Sequence, residues 1–432
     1  MYLSLLLAVL PMGMASASDK RSEPAPLITP VATDGSKIIP DKYIVKFKTG
    51  SPLSILDAAV AKLTAKADHV YSEVFTGFAG TLDAAMLEAL RDHPKVDYIE
   101  KDAAVYQFGN EQRSDEQQVD EQIGGTKIRL QKDAPWGLGR ISHRKKGSNI
   151  YAYHESAGRG TCVYVIDGGI DDKHTVSLHL SSYLSWHEAL KTWLTLCTKD
   201  FGGRAKQLVS FIPGEKTDGQ GHGTHVAGTI GSRTYGVAKK ATILGVKVFA
   251  DSGLSSRALW IKGMDFVAKD KTQRCPKGKF VNMSLGTGTS AAVNSAAAAL
   301  VKKGIFVGVA AGNTNQDVAL WSPQSEPSVC VVGGTAMNDT RYEQSNWGKN
   351  VKINAPAVDV LSTKAGGGRK LMSGTSTAAP HVVGLAAYLA SLEGLHGPAA
   401  LCERIQKLAI NGAITNQRND TVNLLAFNGA TK

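Results

Sequence analysis

The sequence predicts an α/β protein in two parts: a small α+β domain, then a large domain built on a doubly wound parallel sheet. Its 432 residues are 43% hydrophobic and 20% charged, which suffices for one large and one small core. From residue 134 onward, short apolar runs rich in β-branched residues alternate with helical stretches. The earlier part instead shows alternating strands around two helices.

The amino terminus is typical of an export signal. An apolar run from Leu3 to Leu10 precedes Ala15-Ser16-Ala17, which has the small-x-small pattern of a signal-peptidase site. A transmembrane helix needs about 20 apolar residues, far more than this run offers, and no later segment is long enough. Residues 1–17 are therefore predicted to be a signal peptide, and the protein to be secreted and extracellular, with no membrane as a partner.

The small domain is predicted at about residues 42–107, within a segment that spans residues 18–108. KYIVKF, VYSEVFTGFAGTL and VDYIEKDAAV have strand patterns, and LSILDAAVAKL and MLEALRDHP have helical spacing. Residues 109–133 turn to Gln, Glu, Asp and Gly, with little apolar surface to bury, and are predicted to form a flexible linker.

The large domain is predicted at residues 134–432. Its strands are apolar on both faces and alternate with helices, which indicates a parallel sheet covered on both sides. Ligands of such sheets lie at the carboxyl ends of the strands. The strand patterns are CVYVI, TILGVKV, KFVNMSL, IFVGVAA and CVVGG.

The charge is divided unequally between the two parts. Residues 1–133 carry 15 Lys and Arg against 19 Asp and Glu, a net −4, whereas residues 134–432 carry 34 against 19, a net +15. The basic residues are scattered and no nucleic-acid-binding module is present, so nucleic acid is not expected as a partner. Charge complementarity within the chain, or an acidic macromolecular substrate, explains the division better.

Three short motifs carry residues that could do chemistry. Asp167 ends the strand CVYVID, His222 opens a small-residue helix in GHGTHVAG, and Ser376 lies at the start of the helix in GTSTAAPH. Each alone could be a cap or a core residue. His222 and His225 could form a metal pair, but no third ligand is near in the sequence, so no metal is predicted.

Together the three residues form a complete set for nucleophilic catalysis. A serine hydroxyl needs a histidine to take its proton, and the histidine needs a carboxylate to fix its tautomer and stabilise its charged form. The order Asp, His, Ser and the absence of GxSxG argue against an α/β-hydrolase. DGG, GHGTHVAG and GTSTAAPH resemble the three catalytic motifs of subtilisin-like serine proteases, and GSRTYGVAKKATILGVKVF, KGMDFVA, SEPSVCVVGG and TVNLLAFN are similar to the secreted fungal proteinase K-like branch.

The resemblance covers almost the whole chain. KYIVKF, DHVYSEVFTGFAGTL and HPKVDYIEKDA are similar to the inhibitory propeptide of that branch. It implies a subtilisin-like fold and a ferredoxin-like propeptide that blocks the cleft until it is removed. The implied protein is a monomeric endopeptidase that acts on proteins and peptides and is cleaved close to Asp133-Ala134, before APWGLGRIS.

The resemblance also implies roles for residues around the triad. Asn313 would donate to the oxyanion together with the backbone N–H of Ser376. An extended substrate would lie between two chain segments, and small residues would leave room for a large apolar side chain before the scissile bond, which gives broad specificity. These substrate-binding residues are Gly253, Leu254, Leu285, Gly286, Ala310 and Gly312.

The chain departs from the family pattern near the triad. Gly168 follows the catalytic aspartate where the family has threonine or serine, Thr377 follows the serine where it has methionine, and Thr287 replaces a glycine of SLGGG. Loosened geometry beside the reacting groups costs activity. The alternative function is therefore an impaired homologue that binds peptides or its propeptide without turnover.

The resemblance further implies two disulfides and a lost metal site. Four cysteines fall where that branch has its bridges, which pairs Cys162 with Cys275 and Cys330 with Cys402. The family's calcium site uses carbonyls at Pro327 and Val329 and an aspartate that here aligns with Lys352. Since an ammonium cannot ligate calcium, no calcium and no other cofactor are predicted.

One segment, residues 176–199, does not fit the pattern. Its 24 residues contain two tryptophans and Cys197, and half are apolar or aromatic, unlike an ordinary surface loop. It could be a surface insertion or a helix for a membrane or partner, but it has few basic residues for an anchor. Our hypothesis is a translated intron: its ends can be encoded by splice-site sequences, and its removal joins IDDKHT to DFGGRA. We expect it to protrude without covering the cleft.

Overall fold

The structure is a computed structural model that describes residues 23–30, 36–107, 112–113, 119–121, 127–177 and 197–431. Its small domain is one antiparallel sheet with two helices, and the strand order β5-β2-β4-β3, with β1 parallel to the outer side of β5, is that of a ferredoxin-like fold. Its elements are β1 (Leu27–Ile28), β2 (Lys37–Phe47), α1 (Leu53–Ala61), β3 (His69–Tyr71), β4 (Gly77–Thr81), α2 (Ala84–Arg91) and β5 (Val96–Tyr106).

The large domain is built on a nine-stranded sheet. Eight strands run parallel, in the order β13-β14-β10-β16-β18-β20-β21-β25, and β24 adds an antiparallel edge. The predicted doubly wound parallel sheet is therefore confirmed. Its strands are β10 (Cys162–Asp167), β13 (Ala205–Ser210), β14 (Thr242–Lys247), β16 (Lys279–Met283), β18 (Phe306–Ala310), β20 (Cys330–Thr335), β21 (Val351–Pro356), β24 (Ile410–Asn411) and β25 (Leu424–Leu425).

Helices cover both faces of this sheet, because its strands are apolar on both sides. Alternate residues of β10 separate accordingly: Val163 and Val165 belong to the hydrophobic cluster on one face, and Tyr164 and Ile166 to the cluster on the other. The helices are α3 (Trp136–Ser142), α4 (His222–Gly231), α5 (Arg257–Lys269), α6 (Ala291–Lys302), α7 (Thr375–Glu393) and α8 (Pro398–Leu408), with a 3₁₀ turn at Val318–Leu320.

The remaining strands are short and pair outside the main sheet. They are β6 (Gln112–Arg113), β7 (Val119–Glu121), β8 (Ile128–Lys132), β9 (Tyr151–His154), β11 (Thr175–Ser177), β12 (Cys197–Lys199), β15 (Leu254–Ser256), β17 (Thr287–Gly288), β19 (Trp321–Ser322), β22 (Val360–Thr363) and β23 (Arg369–Met372). One of them, β15, joins the sheet of the small domain, and two from the segment between the domains, β6 and β7, pair with β23 and β8.

The small domain packs against helices α5 and α6 of the large domain. Strand β5 pairs antiparallel with β15, and buried Tyr71, Val74 and Val105 join the same hydrophobic cluster as Trp260 of α5. The small domain also has a core of its own, around Phe47, Leu56 and other residues. Its sheet therefore continues onto the large domain at the edge where β15 lies.

The structure corrects one end of the predicted linker. A flexible connection over residues 109–133 is wrong at its carboxyl end, because Ile128–Lys132 pairs with Tyr151–His154 of the large domain. Gln131 is buried and its Nε2 donates to the carbonyl oxygen of Thr234 over 2.9 Å. The polar composition hid a short strand in KIRLQK, which lies between β7 and β9 in a three-stranded sheet. Residues 108–111, 114–118 and 122–126 lie outside the described residues.

Both expected disulfides are present. Cys162 is bonded to Cys275 and Cys330 to Cys402, with Cα separations of 5.4 and 6.1 Å. They join residues that are 113 and 72 positions apart, so each closes a long loop. Among the described residues, none of the helices has both the length and the apolar composition that a membrane span requires.

The unusual segment begins and ends at one place. Strands β11 and β12 pair antiparallel, with Thr175 opposite Lys199 and Val176 opposite Thr198. The N–H of Asp200 donates to the carbonyl oxygen of His174 over 3.2 Å. Residues 178–196 lie outside the described residues, so our expectation that the segment protrudes without covering the cleft stays a prediction.

Candidate active site

Asp167 and His222 meet at the carboxyl edge of the main sheet. Asp167 is the last residue of β10 and fully buried, and His222 is the first residue of α4, after Gly221 with φ +90°. The left-handed conformation of Gly221 turns the chain sharply into the helix. His222 Nδ1 lies 2.9 Å from both carboxylate oxygens of Asp167. The carboxylate thus holds the imidazole with Nε2 turned away from it.

The pKa values of His222 and its neighbour His225 are shifted in opposite directions. Burial by itself lowers the pKa of His222, but the charge and hydrogen bond of Asp167, together with the charge of Asp218, raise it above the usual value. Burial lowers the pKa of His225 to about 3, and its Nε2 faces the carbonyls of Val360 and Lys370. His225 is therefore a neutral structural residue whose Nε2 is engaged by backbone carbonyls.

Ser376 lies in the first turn of α7, the long helix that crosses the sheet. Its carbonyl oxygen accepts a hydrogen bond from Ser284 Oγ over 2.9 Å, which ties the turn to the end of β16. Thr377 is buried and its hydroxyl donates to the carbonyls of Ala357 and Gly374. The threonine that departs from the family pattern is thus satisfied and leaves the turn intact.

Asn313 follows the carboxyl end of β18 and is held through one side-chain atom. Its Oδ1 accepts from the N–H and the hydroxyl of Thr375, over 2.8 and 2.9 Å. Because both contacts use the oxygen, the amide nitrogen Nδ2 is aimed elsewhere, and it is buried without a hydrogen-bond partner among the described residues. A fixed N–H donor of this kind suits an oxyanion.

The expected substrate-binding residues follow neighbouring strand ends. Leu285 and Gly286 come after β16, and Ala310 ends β18, which pairs with β16. Gln324 ties the two together, since its Nε2 donates to the carbonyls of Leu285 and Ala310 over 2.9 and 2.6 Å. Gly312 has φ +107°, a conformation that favours glycine.

Gly253 and Leu254, on the opposite side, meet the end of the small domain. Leu254 pairs with Tyr106 of β5, and the carbonyl oxygen of Gly253 accepts from the N–H of Gln107 over 3.0 Å. The edge expected to bind substrate is therefore occupied by the small domain's own strand.

Sequence reasoning missed several residues that shape the site. Asp218 accepts hydrogen bonds from the N–H of Gly221 and from Thr224, so it fixes the start of α4. Thr287, which the sequence showed only as a departure from SLGGG, is buried, and its hydroxyl accepts a hydrogen bond from Arg257 Nη2 over 2.9 Å. The sequence does point to Asp218, because this carboxylate lies only four residues before His222. The contact of Thr287 has no such signal, because Arg257 lies 30 residues earlier in the chain.

A parallel sheet with Asp, His and Ser in that order at its carboxyl edge, and an inhibitor-like domain lying on that edge, defines a serine peptidase of the subtilisin type. Residues 158–427 match the Subtilase family, Peptidase S8, and residues 42–107 match the Peptidase inhibitor I9 family. The chain belongs to the subtilase family. It is a serine endopeptidase made with an inhibitory propeptide, and the small domain is that propeptide.

Relatives of known identity match the chain from end to end. It is 50% identical to the "Cuticle-degrading protease" of Metarhizium anisopliae, with 100% of each chain covered. It is 46% identical to "Proteinase R" of Parengyodontium album, with 99% of each covered. Among solved structures, a cold adapted subtilisin-like serine proteinase matches with a TM-score of 0.60 and 35% identity, over 69% of this chain and 99% of that one.

Proposed function

We propose that Ser376 is the nucleophile of this endopeptidase, with His222 as its base, Asp167 as the carboxylate behind the base, and Asn313 as an oxyanion donor. One observation supports these roles above all. Ser376 Oγ, His222 Nε2 and Asn313 Nδ2 are buried without hydrogen-bond partners among the described residues. Orphaned buried polar atoms are costly. Others occur elsewhere in the described residues, but these three belong to the residues that the catalytic motifs single out.

The proposed reaction uses each group in turn. Ser376 Oγ attacks the peptide carbonyl carbon while its proton passes to His222 Nε2, and Asp167 stabilises the resulting imidazolium. Asn313 Nδ2 and the N–H of Ser376 bind the oxyanion. The C–N bond then breaks as His222 returns the proton to the leaving amine, which leaves an acyl-enzyme. Water, activated by His222, hydrolyses the ester and restores the serine.

Labelling with a fluorophosphonate tests the nucleophile. The processed enzyme should be labelled, and Ser376→Ala should abolish both labelling and peptide hydrolysis. Ser328→Ala, at an exposed loop serine, is the control and should keep both. Labelling that survives Ser376→Ala would contradict the assignment. No observation on the described residues favours the impaired alternative, since Thr377 is satisfied and the Asp167–His222 contact is complete.

We further propose broad specificity with a preference for a large apolar residue before the scissile bond. Backbone pairing along Gly253–Leu254 and Leu285–Gly286 reads no side chains, and small residues at Ala310 and Gly312 leave space on the far side. A panel of chromogenic peptides that differ only at that residue measures the preference. Equal turnover of peptides with Phe and Asp there would contradict it.

We propose that processing falls between the propeptide strand and strand β8. The sequence predicted cleavage close to Asp133-Ala134, but because Ile128–Lys132 pairs with strand β9 of the large domain, we propose a cut before this strand. We expect the first cut after Phe108, the large apolar residue that follows the propeptide strand. Amino-terminal sequencing of the secreted enzyme decides this, and a terminus at Ala134 would contradict it. Export by residues 1–17, an extracellular location and a monomeric state remain parts of the proposal.

We also propose that the enzyme binds no calcium at the family's position. Lys352 stands where the ligand aspartate is expected, and the described residues contain no group of three or more His, Cys, Asp or Glu side chains that could hold a metal. A chelator should leave the Tm unchanged. Lys352→Asp is the matched variant. Calcium at 100 times its Kd should stabilise this variant by about 2.7 kcal/mol and so raise its Tm. A large loss of stability in the native enzyme with chelator would contradict the proposal.

A further inference from the structure

The end of the propeptide strand lies in the active site as a substrate would. Tyr106 is opposite Leu254 and Val105 opposite Ser255, and the N–H of Gln107 continues this pairing onto Gly253. Side chains alternate along a strand. Val105 is buried against the large domain and Tyr106 is 53% exposed, so Gln107 points inward again.

The side chain of Gln107 reaches the triad. Its Nε2 donates to Asp167 Oδ1 over 2.7 Å, the same oxygen that accepts from the N–H of Gly168 over 2.7 Å. Asp167 keeps its contact with His222, whose Nδ1 is equally close to Oδ2, at 2.9 Å. The amide therefore adds a donor to the carboxylate without displacing the histidine.

Gly168 leaves the space through which this contact is made. A Cβ at this position would lie 3.9 Å from both amide atoms of Gln107 and 3.4 Å from Asp218 Oδ1. These are ordinary contacts, so alanine fits, but the further atoms of a threonine would enter the space that the amide occupies. The backbone of Gly168 is not in the left-handed region, so its conformation does not require glycine.

The position of Gln107 relative to the scissile bond follows from alternation. The residue whose carbonyl is attacked places its side chain toward Ala310 and Gly312, on the other side of the cleft. Its predecessor, P2 of the substrate, then faces Asp167 and His222. Gln107, whose side chain contacts Asp167, lies where the P2 residue of a substrate would, and Phe108 follows it in the sequence.

We propose that Gly168 opens a P2 subsite onto Asp167, and that this subsite selects a substrate side chain that donates a hydrogen bond, above all glutamine. The inference rests on the proposed function and specifies its substrate class. Two carboxylates, Asp167 and Asp218, line the subsite, so a P2 glutamate is excluded by charge and an isosteric methionine lacks the donor. A hydrogen bond to an ionised group is worth about ten-fold or more in affinity.

The test uses peptides that reproduce the end of the propeptide strand, acetyl-Val-Tyr-Xaa-Phe-p-nitroanilide, with Gln, Met, Glu or Ala at Xaa. For the processed native enzyme we expect kcat/KM for Gln to exceed that for Met by about ten-fold, mostly through KM, because the contact is already made in the bound ground state. Glu should be the poorest. Equal values for Gln and Met would overturn the proposal.

Two variants of Gly168 show whether this residue is responsible. In Gly168→Thr the Gln to Met ratio should fall to about one, since the side chain fills the subsite and supplies its own hydroxyl. In Gly168→Ala, the matched control, the ratio should persist. A Thr variant that keeps the preference would overturn the proposal. The proposed function is tested separately: the native enzyme should hydrolyse the Ala peptide and Ser376→Ala should not. If the native enzyme does not hydrolyse it, both the proposed function and the P2 preference are contradicted.

Discussion

At the residue scale, some polar atoms around the site are paired within the fold and others are not. The hydroxyl of Thr377 and the carboxylate of Asp218 have their partners within the fold. Ser376 Oγ, His222 Nε2 and Asn313 Nδ2 have none among the described residues, although all three are buried. Folding therefore leaves unpaired the atoms that a tetrahedral intermediate would engage.

Asn313→Ala tests the oxyanion donor. We expect kcat to fall by about 10²- to 10³-fold with little change in KM, a range that comes from removing such a donor in another subtilisin. The loss falls on kcat because the oxyanion forms only in the transition state. Steady-state kinetics on one peptide measure it. Asn338→Ala, at an exposed asparagine, is the control, and an equal effect there would contradict the role.

At the element scale, the propeptide is attached to helix termini. Glu100 accepts from Ser290 Oγ and from the N–H of Ala292, at the start of α6, and Asp102 accepts from the N–H of Ala258, at the start of α5. Carboxylates at helix amino termini satisfy orphan N–H groups and favour the helix dipole. The propeptide thus supplies acceptors to the first turns of two helices that contain no acidic residue there.

Asp265 is a carboxylate of the large domain, in α5, that binds the propeptide. Its removal should weaken inhibition of the enzyme by the propeptide. Its Oδ1 accepts the N–H groups of Ser72, Glu73 and Val74 in the propeptide, over 3.1, 2.7 and 3.1 Å. In Asp265→Ala we expect the propeptide to inhibit about ten-fold or more weakly, since bonds to a charged acceptor are lost.

The measurement is the inhibition constant of the propeptide for the processed enzyme. Asp265→Asn is the matched control: it keeps a neutral acceptor, so its effect should be smaller. Identical losses in the two variants would show that the negative charge of Asp265, and not a neutral acceptor, carries the contact, and no loss in Asp265→Ala would contradict the prediction.

At the scale of the whole molecule, buried propeptide carboxylates make the association of the two domains depend on pH. Burial raises the pKa of Asp102 to about 6 and raises that of Glu100, because desolvation outweighs the hydrogen bonds to their charged forms. A carboxyl whose pKa is raised in the complex binds its proton more tightly there. Its contribution is therefore complete at acidic pH and is lost as the pH rises through about 6.

The propeptide should thus bind most tightly near pH 4 and weaken by about ten-fold or more up to pH 7. Inhibition constants measured across this range test the sign. Asp102→Asn should flatten the profile, whereas Asp92→Asn, at an exposed residue, should leave it unchanged. Inhibition that tightens between pH 4 and pH 7 would contradict the assignment.

The segment at residues 176–199 should be dispensable for the whole fold. Thr175 and Lys199 are cross-strand partners, and Asp200 bonds to His174, so the two ends already meet. Deletion joins Thr175 to Asp200, the neighbour of Lys199. Since opposite residues of an antiparallel pair lie about 4.5–5.5 Å apart at Cα, a short rearrangement brings the new ends to the 3.8 Å of a peptide bond. Deletion of the 24 residues should preserve activity and Tm.

Thermal unfolding and peptide hydrolysis of the deletion variant measure this outcome. Sequencing of the transcript across codons 170–205 tests the intron hypothesis itself. A mature message with all 24 codons would refute the intron, and a deletion variant that does not fold would show that the segment belongs to the structure.

The sequence by itself determined the strand and helix types of the large domain and the identity of the chemical groups. Asp167 ends an apolar run, and His222 and Ser376 open small-residue helices, so local pattern places each at the carboxyl edge of a parallel sheet. The small domain was also predictable, because its strands alternate around two helices. The family resemblance supplied Asn313 and the disulfide pairs, which local pattern does not contain.

Only the tertiary structure decided the contacts between distant segments. Gln107 lies 60 residues from Asp167, and Gly168 matters to it only because strand β5 takes one particular register on β15. Strand β8 has the composition of a linker, and its place between β7 and β9 follows from pairing with distant Tyr151–His154, which no local pattern shows. Register and partner choice depend on the packing of the whole chain, whereas periodicity records only which face of an element is buried.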